Sequence, residues 1–307
     1  MSLVINHNMM AANTARNLND HYSRLQTSTQ RLSSGLRING AADDAAGLAI
    51  RELQRADIAT LQQGARNAND AISMIQTADG ALGVIDEKLI RMKELAEQAA
   101  TGTYDSTQRL MIESEYQAMA SEITRIANAT DFNGIHLLNG NLSSSIHDGS
   151  GLGHEDGLTS VGKMKVHFGT GNDSAEDYYY ITIGNATASA LGVGNQAIDS
   201  DGNTRDGFTV STQEQAQKSL DAINQAIVSK DKIRAHLGAM QNRLENTITN
   251  LETQAENLQA AESRISDVDV ATEMTQFVRN QILTQASVAM LSQANSLPQM
   301  ALQLIGG

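Results

Sequence analysis

The chain has 307 residues, no cysteine, no tryptophan, one proline and a formal net charge of -13. Without cysteine there can be no disulfide framework, thiolate metal site or thiol nucleophile, and so acidic a balance argues against a nucleic-acid groove, which needs clustered lysine and arginine. Aromatic residues make up 3%, so the core must be built from leucine, isoleucine, alanine and methionine, slim side chains that suit helices packed along their length.

Residues 1–12 lack a basic region leading into an apolar stretch, so no cleavable secretory signal is expected there. No run of 18 apolar residues exists to insert into a membrane. Glycine divides the rest into three parts: 14 of the 24 glycines fall between Gly134 and Gly207. The flanks have long stretches nearly free of glycine and proline, as long helices require. In the first flank Leu18, Tyr22, Leu25, Thr29, Leu32 and Leu36 are spaced as a heptad seam. After a polar break at 39–44 a second series begins. Leu61, Ala68, Ile75, Leu82, Leu89 and Ala96 recur every seventh residue, with Ile58, Ala65, Ile72, Ile85, Met92 and Ala99 expected at the other seam position. Asp43 and Asp44 are placed to cap and charge the helix that begins at Ala45. A turn at 102–106 leads to a third helix carrying Ile112, Tyr116, Met119, Ile123 and Ile126.

The middle is different in kind. Met164, Val166 and Phe168 alternate with polar residues, as do Tyr179, Ile181 and Ile183, and a turn-rich stretch lies between, which predicts a β-hairpin with a long loop. Residues 141–210 carry nine acidic and three basic side chains, so this part is expected to face solvent. The last flank returns to heptads with Leu237, Leu244, Leu251, Leu258 and Ile265. From Val268 to Ile305 the pattern stays helical but becomes apolar on more than one face, through Val270, Met274, Phe277, Val278, Ile282, Leu283, Val288, Met290 and Leu291. A helix apolar nearly all round needs partners on all sides, more than one chain can supply.

The predicted fold is mainly α: a long antiparallel helical bundle or coiled coil formed by the N- and C-terminal segments, with a small β-hairpin region in the middle. The divisions expected are 1–44 with 263–307, 45–140 with 211–262, and 141–210.

Motifs that carry chemistry are incomplete or missing along the chain. His154-Glu155-Asp156 lacks the second histidine of a helical zinc pair. Asp199, Asp201 and Asn203 open like a calcium loop, but Thr204 stands at its glycine position and Val210 at its final carboxylate position. There is no phosphate-binding loop, dinucleotide fingerprint or nucleophile elbow. Sequons occur at Asn141 and Asn185, and Ser143–Ser145 is a candidate for O-linked sugar. Nothing supports an enzyme, a metal or a cofactor.

The stretch 31–47, RLSSGLRINGAADDAAG, resembles the signature of bacterial flagellins, carried by Arg31, Leu32, Gly35, Arg37, Asn39, Asp43 and Asp44. The resemblance continues through RNAND at 66–70, TADGAL at 77–82, KELAEQ at 93–98 and DFNG at 131–134. It resumes with LGAMQNRL at 237–244, Ser263-Arg264-Ile265, DVDVATE at 267–273, Gln293-Ala294-Asn295 and Pro298. It covers both flanks, and the ASALG run at 188–192 extends it to the middle, which leaves almost nothing for outer variable domains.

The resemblance implies a filament subunit whose terminal segments are disordered in the free monomer and form the inner filament core, with Leu18, Leu25, Leu32, Leu36, Met274, Phe277, Val288 and Leu291 as assembly residues. It implies uncleaved export through the flagellar type III channel to an extracellular filament. It also implies self-association, flagellar cap and hook-junction partners, and a cytoplasmic flagellin chaperone at the C-terminal helix. Arg91, Leu95 and Glu115 match the positions by which flagellins engage Toll-like receptor 5. The alternatives are a hook–filament junction protein and, from another class, a soluble coiled-coil adaptor.

Overall fold

The computed structural model describes residues 8–143, 162–173, 176–194 and 209–305, the side chains of 297–299 and 301–305 excepted. The histidine-acid run at 154–156, the serines 144–145 and the acidic run at 199–203 lie outside the described residues. The elements in order are α1 (Met9–Ser34), α2 (Ala45–Ala100), α3 (Ser106–Ala129), β1 (Asp131–Phe132), β2 (Ile135–His136), β3 (Met164–His167), β4 (Tyr178–Ile181), α4 (Ala188–Leu191), α5 (Gln213–Ser266) and α6 (Val270–Ile305). They form two compact units, 1–58 with 255–307, and 59–254. Both α2 and α5 contribute residues to each unit.

The helix ends follow local chemistry. Asn8 accepts from the Ala11 amide to start α1, and Gly35 ends it at φ +72°, its N–H donating to the Arg31 carbonyl. Only glycine adopts that left-handed conformation without strain. Asp44 Oδ1 accepts from the Gly47 amide at 2.9 Å, the capping bond expected for α2. Asp43 does something else. Its Oδ2 accepts from the amides of Asn39 and Gly40, closing the turn before the helix. Asp105 and Gln108 form a reciprocal capping box at α3.

The second unit holds the main core. From α2, Ala68, Ile75, Leu82, Leu89 and Ala96 are buried, as the heptads predict. The second row differs. Ile85, Met92 and Ala99 are buried, but the row continues toward the N-terminus as Ala78, Ala71 and Gly64, while Ala65 and Ile72 are half-buried. The two series are one residue out of step, because an α-helix drifts against a seven-residue repeat, and the smaller series faces inward. Gly64 shows why: a Cβ there would lie 2.1 Å from the Phe168 carbonyl oxygen. The chain leaving β3 rests directly on the helix backbone, and the Asn67 side-chain amide donates to the neighbouring His167 carbonyl at 2.9 Å.

The expected hairpin pairs β3 with β4, Val166 opposite Tyr179 and Met164 opposite Ile181. The Arg243 guanidinium of α5 lies 3.5 Å from the Tyr179 ring centroid. The loop is tied by Asp177, which accepts from the amides of Asp173 and Gly171. Those bonds, the Asp173 one foremost, hold its carboxyl below the usual range. The smaller hairpin, β1 with β2, turns through Asn133 and Gly134, both at positive φ. Asn-Gly favours such tight turns. The described parts of 141–210 are not simply solvent-facing: Leu142, Val166, Phe168, Ile181, Ile183 and Val193 are all buried.

One charged group sits inside this core. Lys230 is 2% exposed, with Asp86 at 2.6 Å and Asp231 at 2.8 Å. Burial alone would lower its pKa, but the hydrogen bonds that its ammonium donates to Asp231 and Asp86 outweigh burial and raise it. A group whose folded pKa is raised contributes stability below its unfolded value and loses it as pH rises through the folded one. Lys230→Met is expected to cost about 1–2 kcal/mol at neutral pH, since both acids keep some contact with water. The difference from wild type should shrink as pH climbs past the ordinary lysine value, 10.5. Urea melts at neutral and strongly alkaline pH would check both statements.

Candidate assembly surface

The first unit is built on α1 and α6, which run antiparallel. The Asn8 side chain donates to the Ala294 carbonyl at one end, and Arg31 stands 3.8 Å from Glu273 at the other. On α6 the least exposed positions are Glu273, Phe277, Asn280, Thr284, Ser287, Leu291 and Ala294, a 4-3-4-3 spacing that marks the seam against α1. On α1 the matching positions are Leu18, His21, Leu25, Ser28 and Leu32.

This corrects the expected α1 seam in three places. Tyr22 and Thr29 are exposed, and His21 and Ser28 take their places. Leu36 is not on the helix at all, because Gly35 ends α1 before it; Leu36 forms an isolated β-bridge with Asp267 instead. The apolar pattern on α1 is real, but its hydrophobic residues exceed what one partner helix covers, so the smaller polar ones turn inward.

The seam of the pair therefore mixes apolar and polar side chains. Among its most buried members are Ser28, Glu273 and Asn280, while large apolar side chains point outward. On α6 these are Val270, Met274, Val278, Ile282, Leu283, Val288, Met290 and Met300, each more than a third exposed. Met9, Met10 and Tyr22 do the same on α1. Of the assembly residues predicted from sequence, Met274 and Val288 lie on this outward face. Phe277 and Leu291, like Leu18, Leu25 and Leu32, are half-buried in the seam. Val278, Ile282 and Leu283 extend the outward surface. An apolar face this long on a helix is not stable in water without a cover.

The signature stretch forms the junction that holds the pair to the helices that follow. The Arg37 amide donates to the Ser266 carbonyl at 2.7 Å, and the Val268 amide to the Gly35 carbonyl at 3.0 Å. Asn39 Nδ2 donates to the Leu36 carbonyl. Buried Arg51 donates to the Ile38 carbonyl at 2.9 Å, and Ile38 is itself buried. These contacts tie the start of α2 into the first unit, which runs along α2 to Ile58. At the start of α6, Asp269 accepts from the Thr272 hydroxyl and the Thr272 and Ala271 amides, and these bonds hold its carboxyl below the usual range.

The candidate receptor residues lie in the second unit. Arg91 reaches from α2 to Glu115 on α3 at 2.8 Å and to Glu94 at 2.9 Å, and all three are exposed. Leu95 is 1% exposed, so its side chain belongs to the core. Among the described residues no group of three or more acids and histidines could hold a metal, and no helix is long and apolar enough to cross a membrane.

The family model for the bacterial flagellin N-terminal helical region matches residues 5–143, and that for the bacterial flagellin C-terminal helical region matches 220–305. A flagellin of Halalkalibacterium halodurans is 41% identical, the match covering 99% of this chain and all of that protein. One from Bacillus subtilis is 42% identical over 98% of this chain and 99% of its own length. Flagellin FlaB2 of Treponema pallidum is 40% identical over 99% of this chain and all of its own. A solved structure from Vibrio parahaemolyticus, described as a flagellar hook-associated protein, shares the fold alone, with 16% identity, a TM-score of 0.50, and coverage of 73% of this chain and 100% of that one. Two terminal helical regions, matched over most of their length by relatives of the same extent, identify the family: this chain belongs to the bacterial flagellins.

Proposed function

We infer that the chain is the structural subunit of a flagellar filament, and that it works by burying the outward faces of α1 and α6 against other copies. The observation that carries this reading is the set of eight large apolar side chains exposed around α6, on more than one of its faces. Covering each partly exposed side chain is worth on the order of 1 kcal/mol. Together they can offset the entropy of ordering the terminal segments, which explains how those segments could stay disordered in the monomer and fold on assembly. Head-to-tail contacts that do not close produce a helical polymer. The test is electron microscopy of the purified chain. Long filaments should appear on salting-out, and a chain that stays monomeric under all such conditions would refute the reading.

The remaining flagellar partners follow from the same surface. A cytoplasmic chaperone would shield the apolar face of α6 before export through the flagellar type III channel. Hook-junction and cap proteins would cover it at the two ends of the filament. For Toll-like receptor 5 the contact falls to Arg91 and Glu115, with Leu95 supporting them from beneath. Arg91→Ala is expected to lower receptor activation by the monomer about tenfold, the scale of a single interface hot spot, measured on receptor-bearing cells. An unchanged response would remove this partner.

A further inference from the structure

A cleft of about 460 Å³ opens between α1 and α6 near the end of α1. Its lining includes His21, Arg24, Arg31, Glu273, Arg279 and Asn280. Three arginines and a single acid thus line the cleft, in a chain whose overall balance is strongly acidic. Arg24 and Arg279 have no acidic partner within 4 Å among the described residues. Arg31 lies between two acids but engages neither closely, with Glu273 at 3.8 Å and Asp43 at 4.0 Å. Both separations exceed a hydrogen bond. Two polar atoms here, His21 Nδ1 and Arg31 Nε, are buried without a partner. Most buried polar groups are satisfied, so two orphans on one cleft call for a missing acceptor or donor.

Leu283 lines the same cleft and is one of the outward apolar residues of α6. A copy packed over Leu283 would also shut this cleft off from water. Guanidiniums removed from water without a counter-charge are strongly unfavourable. The cleft must then contain an anion, and planar guanidinium forks select paired oxygens.

We propose that the cleft bounded by His21, Arg24, Arg31 and Arg279 is an oxyanion site, filled in the assembled filament by a carboxylate or phosphate-type group. The inference rests on the filament reading above. The group has two sources, a side-chain carboxylate of a second copy or a free oxyanion from solution.

The test uses filaments of the full chain, grown in chloride and in inorganic phosphate at equal ionic strength and imaged at side-chain resolution. Density in the cleft joined to a neighbouring chain in both buffers supports the site and assigns it to a second copy. Isolated density present only in phosphate supports it and assigns it to a free ion. In parallel, the double variant Arg24→Gln, Arg279→Gln should raise the critical concentration for polymerisation roughly tenfold or more, as loss of a charge-paired contact does. The Arg24→Lys, Arg279→Lys pair should recover part of that loss, which mere disturbance of the helices would not allow. As a control for folding, the full-length variants should melt like the wild type, since neither arginine belongs to the 59–254 unit. Wild-type filaments with an empty cleft, together with a glutamine variant that polymerises normally, would overturn the oxyanion site and leave the filament reading standing. Failure of the wild type to form filaments would overturn both.

Discussion

A chain lacking residues 268–307 should not polymerise at any concentration, yet should keep a cooperatively folded second unit. The reason is the division of hydrophobic surface. Among the described residues, all 34 members of the main buried cluster lie between Ala68 and Leu244, so deleting α6 removes none of them. The deletion removes all the exposed apolar side chains of α6 and also the seam that orders α1. Filaments would be sought by electron microscopy after salting-out, and folding followed by circular dichroism and a urea melt. The melt should be that of the intact chain to within about 1 kcal/mol, as for distant, independent sites. Filaments from the truncated chain would show that assembly runs through some other surface. A graded version places one charge on the outward face: Ile282→Asp should weaken polymerisation severely while Gln281→Asp, a neighbouring exposed polar position, should do so much less.

The second large effect is a change of sign. In the interior of a helix, replacing glycine by alanine ordinarily stabilises by roughly 0.5–1 kcal/mol. At Gly80 and Gly83 of α2 an added Cβ meets nothing within 4 Å, and the ordinary gain is expected. At Gly64 of the same helix the Cβ would meet the oxygen, carbonyl carbon and Cα of Phe168 at 2.1, 2.7 and 2.8 Å. All three are backbone atoms, so no side chain can swing aside. The β3–β4 hairpin would have to lift from α2, exposing Phe168 and losing the Asn67 bond. Overpacking of this kind costs about 1–3 kcal/mol or more, so Gly64→Ala should destabilise where its two neighbours stabilise. Three urea melts decide it, and a stabilised Gly64→Ala would mean that the hairpin does not rest on the helix there.

Much of this fold is legible in the residues themselves. Long runs poor in glycine and proline form α1, α2, α3, α5 and α6. Alternation at 163–168 and 178–183 forms a hairpin, and Asp44 caps α2 where its position requires. The Asn133-Gly134 pair is a turn signal within the DFNG motif, but the two-residue strands beside it are too short to show alternation. The four-residue α4 is likewise too short for any periodicity to announce. The signature at 31–47 points to the family but not to its own physical work, which is to stop α1, bridge to 266–268 and start α2.

Hydrophobic spacing by itself determined which segments are helical and that α1 and α6 carry more apolar surface than one chain can cover. It did not determine which row faces which partner. Ile72 against Ala71, and Tyr22 against His21, are one residue apart, about a quarter-turn of helix, and hydrophobicity favours the larger side chain in each pair. The tertiary structure chose the smaller one both times. On α2 the choice follows from how closely Phe168 approaches the helix backbone. On α1 it follows because the seam against α6 runs through Leu18, Leu25 and Leu32, and the positions between them on that line are His21 and Ser28, with Tyr22 and Thr29 turned outward.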